Sequence, residues 1–154
     1  MTTSPAIEIR LHDDLPASVS ASAAAIVDAG LGEFNDDAAP LHEVEPLSCF
    51  ALMPEDRPGG GAVVGGAVGR TWGECCELQQ LWVHAAHRRQ GLGARLMQAF
   101  HQHAQARGCV TFYLETFSFQ APSFYSALGY QVRLEIDGFS PGVRKLFMVR
   151  EVAR

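Results

Sequence analysis

The stretch from Leu81 to Ala94 constrains the fold more than any other, because the spacing of apolar residues changes across it. Cys75 to Val83, ahead of it, is short and apolar enough to read as a strand. After Gly91 the residues Leu92, Leu96, Phe100 and Ala104 recur every four positions, and Met97 and Ala99 widen the stripe. That pattern predicts an amphipathic helix, with Arg107 and Gly108 as a cationic last turn and C-cap. A β-branched and aromatic run, Val110 to Phe117, comes next. A strand that feeds a helix and then another strand predicts a parallel pair joined by a crossover.

The flanks extend this unit on both sides. Ile7, Ile9 and Leu11 alternate within Ala6 to Leu11, which reads as a first strand, and Pro16 to Phe34 is Ala-rich with helical spacing, Pro16 suiting the first turn. Asn35 to Pro46 reads as a loop or short helix. Leu47 to Met53 and Gly61 to Arg70 are β-rich runs separated by a Pro and Gly turn, so with Cys75 to Val83 they predict a three-stranded meander. Pro122 to Leu128 reads as a short helix ended by Gly129, before two late strands near Tyr130 to Ile136 and Arg144 to Val149. The expected fold class is therefore mixed α/β, with 1–154 as one domain.

The loop Arg88, Arg89, Gln90, Gly91, Leu92, Gly93 lies at the start of the central helix. A helix start offers unpaired N–H groups and partial positive charge, glycines let a phosphate approach the backbone, and the two arginines add fixed cations. A pyrophosphate fits such a seat. A dinucleotide fingerprint would need a third glycine near Leu96 and a larger doubly wound sheet, and a Walker loop would need G-x-x-x-x-G-K-[ST], which does not occur.

The same six residues fit the R/Q-x-x-G-x-G/A pattern of the GNAT family of N-acetyltransferases, placed as there between a strand and a helix. Downstream, Leu114 to Tyr130 is similar to that family's following strand and short helix. The resemblance implies a largely antiparallel sheet with a central parallel strand pair flanked by helices. It also implies acetyl-coenzyme A as co-substrate. Leu81, Trp82 and Val83 would lend backbone groups to the pantetheine arm, and Arg88 to Gly93 with Ala94 would hold the pyrophosphate. Ser118 stands where many members carry an Asn that bonds the coenzyme, and neighbouring Gln120 is a candidate substitute. Tyr125 occupies the position of the family's tyrosine, the expected general acid, since a phenol with a reference pKa of about 10 can protonate a departing thiolate. Glu77 is the expected base, with Glu115 as second carboxylate candidate. His84 and His87 lie close to the loop and read as solvated. His101 and His103 are two apart on a helix, so no metal pair is expected.

A net charge of −5 argues against a broad nucleic-acid face. No apolar run is long enough to cross a bilayer, and the N-terminus lacks the order of a signal peptide, so a soluble cytoplasmic protein is expected. Cys49, Cys75, Cys76 and Cys109 form no C-x-x-C, and reduced thiols are expected. The expected partners are a small-molecule or peptide amine acceptor and, as a candidate, a second copy of the chain. The alternative function is a coenzyme-A-binding sensor or interaction module that keeps the cradle without catalysis.

Overall fold

The computed structural model describes residues 7–153, which fall into two compact units, residues up to His42 and residues from Glu43 onward. The first unit holds a 3-10 turn, His12–Asp14, and helix α1, Ala17–Ala38. Pro16 stands just outside α1, where its carbonyl accepts from the N–H groups of Val19 and Ser20. The helix takes in Gly30 and Gly32 and runs four residues beyond Phe34, because no glycine or proline follows Phe34 before Pro40. Residues 7–11, expected as a strand with Ala6, are not one, and Ala6 itself lies outside the described residues. A strand exists only through a partner, and here the N–H of Leu11 is taken by the Asp14 carboxylate at 3.3 Å while its carbonyl accepts from Asp14 N–H at 3.1 Å. The local turn wins over the ladder.

The second unit carries a six-stranded sheet ordered β1-β2-β3-β4-β6-β5. Strands β1 (Glu45–Leu52), β2 (Val63–Trp72) and β3 (Cys75–Val83) form the expected antiparallel meander. Helix α2 (Leu92–Ala106) crosses over to β4 (Thr111–Phe117), which lies parallel to β3. Helix α3 (Pro122–Ala127) leads to β5 (Gln131–Ser140) and β6 (Val143–Glu151), and β6 inserts between β4 and β5. One face of the sheet packs on α2, where Met97, Phe100 and Ala104 are buried with Cys76, Leu78, Phe112, Leu114 and Met148. All four cysteines are free thiols. Among the described residues no helix is long and apolar enough to cross a membrane.

Two features of this core bear on function. The first is a β-bulge. Val68 faces Gln80 and the next residue, Gly69, faces Leu78, so Gln79 is an extra residue in β3. The parallel pairing of β3 with β4 ends at the same level, with Leu78 opposite Leu114. Gly69 lets the bulge form, because a Cβ there would collide with the Glu77 carbonyl and come within 2.9 Å of Phe100 Cζ. The second is a buried polar trio. Arg150 Nη1 donates to His101 Nδ1 at 2.8 Å, and His101 Nε2 lies 2.8 Å from the Tyr130 hydroxyl. Burial, helped by the Arg150 charge, pushes the His101 pKa down to about 4.

Gly69→Ala should lower stability by at least about 2 kcal/mol, the upper range for overpacking, because neither the Glu77 backbone nor the buried Phe100 ring can retreat. A urea midpoint equal to that of the parent would show the contact to be soft. The depressed His101 pKa has its own consequence. Its stabilisation is present above the unfolded value of about 6.5 and disappears as pH falls toward 4, a loss of about 3 kcal/mol. Melting temperature should therefore drop between pH 6.5 and 4, and less steeply in His101→Gln.

Candidate active site

Beyond Leu78 the two central strands part, and the gap between them becomes one wall of a cleft of about 920 Å³. Gln79 to Val83 line it from β3, Glu115 and Thr116 from β4, and Phe124 and Tyr125 from α3. Arg88, Arg89, Gly91, Leu92, Gly93 and Ala94 close one end. The peptide groups on the β3 edge can be assigned by alternation. His84 N–H is spent on Val64 carbonyl across β2 at 2.8 Å, so Val83 and Leu81 turn their peptide groups the other way, toward the cleft.

The loop at the cleft's end is shaped by two left-handed residues, Arg89 at φ 61° and Gly91 at φ 76°. A non-glycine residue in that region stores strain of order 1 kcal/mol, held here because the loop is tied on both sides. Arg88 Nε donates to Val83 carbonyl at 2.8 Å, and Gln90 Nε2 donates to Ala86 carbonyl at 3.1 Å. The first helical bond runs from Arg95 N–H to Gly91 carbonyl, and no side chain caps the helix. The N–H groups of Leu92, Gly93 and Ala94 therefore face forward without helical partners, beside the Arg89 cation. Nothing within 4 Å surrounds Gly91 on the side where a Cβ would stand. This concavity of amides suits an anion with several oxygens, and a pyrophosphate fits it.

Tyr125 reaches the cleft wall from α3, its ring 5.2 Å from that of Phe124 and 6.1 Å from that of Tyr130. Burial alone raises its pKa above the usual phenol value, and among the described residues its hydroxyl has no hydrogen-bond partner. The phenol is thus protonated through the neutral range and free to donate.

Three expected residues stand elsewhere. Glu77 is one ladder step before the gap and off the cleft wall, with its carboxylate accepting from Arg70 Nε at 2.6 Å. Ser118 is also off the wall. Its hydroxyl accepts from Arg144 N–H at 3.1 Å and so ties the end of β4 to β6. Gln90 is turned back onto Ala86 and does not line the cleft. Gln120 does line it, although its Oε1 already accepts from Phe117 N–H at 2.8 Å and Thr116 Oγ1 at 3.0 Å. Glu115 lines the cleft and pairs with Lys145. Of the two histidines near the loop, His87 is on the wall, while His84 accepts Ala86 N–H at Nδ1. Glu77 and Glu115 alternate with buried neighbours, so both project from the sheet face opposite α2.

Sequence reasoning missed Gln79, Gln80, Thr116, Ala121 and Phe124 as wall residues. A signal for the first two was present. The buried-side residues Cys76, Leu78, Leu81 and Val83 skip from a spacing of two to three between Leu78 and Leu81, which is how a bulge reads in sequence. Thr116 and Phe124 carry no such mark.

Comparison with known proteins agrees with this geometry. Residues 20–130 match the acetyltransferase (GNAT) family. A blasticidin-S acetyltransferase of Streptomyces morookaense is 33% identical over 114 residues, which cover 73% of this chain and 82% of that protein. The crystal structure of an acetyltransferase from Bacillus cereus ATCC 14579 superposes with a TM-score of 0.72 at 22% identity, covering 96% of this chain and 98% of the other. An aminoglycoside 6'-N-acetyltransferase complexed with coenzyme A superposes with a TM-score of 0.60 at 19% identity, over 71% of this chain and 75% of its own. At these identities the two structures share a fold with this chain.

Proposed function

The chain belongs to the acetyltransferase (GNAT) family, and from that premise we propose that it transfers an acetyl group from acetyl-coenzyme A to an amine of a small molecule. The observation that carries this reading is the cleft itself, which runs from an amide-lined anion seat at α2 to a half-buried, protonated phenol at Tyr125. The choice of a small acceptor draws support from the relative that acts on blasticidin S.

The coenzyme's pyrophosphate would sit on the N–H groups of Leu92 to Ala94 beside Arg89, and its pantetheine arm would run along the unpaired edge of β3. There the peptide groups of Leu81 and Val83 supply the ladder bonds that β4 no longer makes. The Val83 carbonyl is shared with Arg88, so the loop and the arm's track are fixed together. The acceptor amine, in its neutral form, attacks the thioester carbonyl carbon. Negative charge then develops on the carbonyl oxygen, and the N–H groups of Leu81 and Val83 are the donors nearest the gap. As the tetrahedral adduct collapses, the C–S bond breaks and the sulfur takes the Tyr125 proton. The amine's own proton leaves on the sheet face opposite α2. Glu115 is there on the cleft wall, and Glu77 one step back would accept it through water; each is held by a cation, Lys145 and Arg70 respectively.

Two measurements test this reading. Gly91→Asp places a carboxylate at the pyrophosphate seat and forces a side chain into a φ of 76°, so acetyl-coenzyme A binding by calorimetry should fall below detection in a folded variant; unchanged affinity would remove the loop from the site. Tyr125→Phe keeps the ring and removes the proton source, which should lower kcat by about 10², the lower end for general acid catalysis, with little change in KM for the coenzyme. Because burial raises the phenol's pKa, the parent should show no loss of kcat from Tyr125 ionisation until pH exceeds about 10. Turnover at the parent rate in Tyr125→Phe would assign the proton to another donor.

A further inference from the structure

The Tyr125 ring has a task for which its own hydrogen bonds give no help. Among the described residues its hydroxyl has no hydrogen-bond partner, so the direction in which the phenol points is set by what packs around it. Its neighbours are Phe124, edge-on at 5.2 Å, and Tyr130, edge-on at 6.1 Å and 73°. Tyr130 also grips the backbone, because its N–H donates to the Tyr125 carbonyl at 3.1 Å. The orientation of Tyr130 therefore passes to Tyr125 twice, once through the main chain and once through the ring.

Tyr130 is in turn locked from behind. It is 2% exposed, and its hydroxyl meets His101 Nε2 at 2.8 Å. The direction of that bond follows from chemistry. Arg150 can only donate, and it donates to His101 Nδ1, so Nδ1 carries no proton and the single proton of the neutral ring sits on Nε2. His101 thus donates to Tyr130. The ring of Phe112 lies against His101 at 5.0 Å and the Arg150 guanidinium over Phe112 at 5.8 Å, which pins the trio between α2 and β6. Arg150 and the Tyr130 phenol are the charged and titratable groups that face His101 here.

An apolar trio would fill the same space without the desolvation cost of a buried imidazole and phenol. What hydrogen bonds add over apolar packing is a fixed direction. Neither His101 nor Tyr130 reaches the cleft wall, and the wall residue that Tyr130 touches is Tyr125.

We propose that His101 is a positioning residue: by donating to Tyr130 while accepting from Arg150, it fixes the angle at which the Tyr125 hydroxyl enters the cleft. The proposal rests on Tyr125 acting as the acid. It separates from that reading by experiment. Tyr130→Phe removes one oxygen and keeps the ring, His101→Leu removes both bonds, and His101→Gln retains a donor for Tyr130. Each is made alone and with Tyr125→Phe, and folding is checked by circular dichroism. Tyr130→Phe and His101→Leu should lower kcat about tenfold, part of the roughly 10²-fold that a 1 Å misplacement can cost, while KM for acetyl-coenzyme A stays within about twofold. His101→Gln should recover most of the loss. In the Tyr125→Phe background none of the three should lower kcat further. If His101→Leu does not fold, Tyr130→Phe decides alone. Parent kcat in Tyr130→Phe, or a loss that persists undiminished without the Tyr125 hydroxyl, overturns the proposal. Parent kcat in Tyr125→Phe itself would instead overturn the assignment of the acid.

Discussion

One extra residue in β3 organises the second unit. Without Gln79, β3 would keep pairing with β4 past Leu78, and the sheet would close where the cleft now lies. The bulge shifts the peptide register by one, so the edge facing β4 loses its partner while the edge facing β2 resumes pairing at Gln80. Gly69 is its counterpart across the ladder. The lack of a side chain there lets the Glu77 carbonyl come close, and it also lets Phe100 of α2 press against the sheet at that level. The bulge, the gap and the seating of the central helix are thus one packing solution. A parallel pair at the middle of an otherwise antiparallel sheet is the natural place for it, since β3 and β4 are joined only through α2 and are free to diverge at their C-terminal ends.

The anion seat depends on the same divergence. Arg88 bonds the Val83 carbonyl, the last peptide group of the strand, so the loop is anchored to the end of the parted edge. The left-handed turns at Arg89 and Gly91 then aim the first N–H groups of α2 back along the gap. A ligand that spans both places needs an anionic group at one end and an extended chain with amide-like groups at the other. Coenzyme A has that form, which is why the fold and the proposed co-substrate support each other beyond motif matching.

The division between what was legible in sequence and what was not follows the range of the interactions. The meander, α2 and the loop at Gly91 were readable, because each is set by local period, turn residues or helix-start chemistry. Residues 7–11 were misread because alternation describes what a strand would bury, and a strand also needs a neighbour; the Asp14 turn competed successfully for the Leu11 backbone. Ser118 and Gln90 were matched to a pattern by position, whereas their side chains are claimed by Arg144 N–H and the Ala86 carbonyl, partners that only the folded chain supplies. Glu77 was placed correctly on its strand, but its pairing with Arg70 follows from the β2 to β3 register, which a single sequence does not state. The trio of His101, Tyr130 and Arg150 spans nearly fifty residues and had no local signature at all.

Burial acts in opposite directions on the two titratable groups that matter most here, and to the same end. It raises the pKa of Tyr125 and lowers that of His101, so both are neutral across the physiological range. A neutral phenol is a proton donor, and a neutral imidazole is at once a donor and an acceptor. Protonation of His101 would set two cations against each other at 2.8 Å from Arg150 and leave Nδ1 unable to accept. Among the described residues the charge that acts on His101 is that of Arg150, and it fixes the tautomer. In the proposed reaction the phenol that faces the departing sulfur therefore still holds its proton, and its position rests on a neutral imidazole whose tautomer the arginine sets.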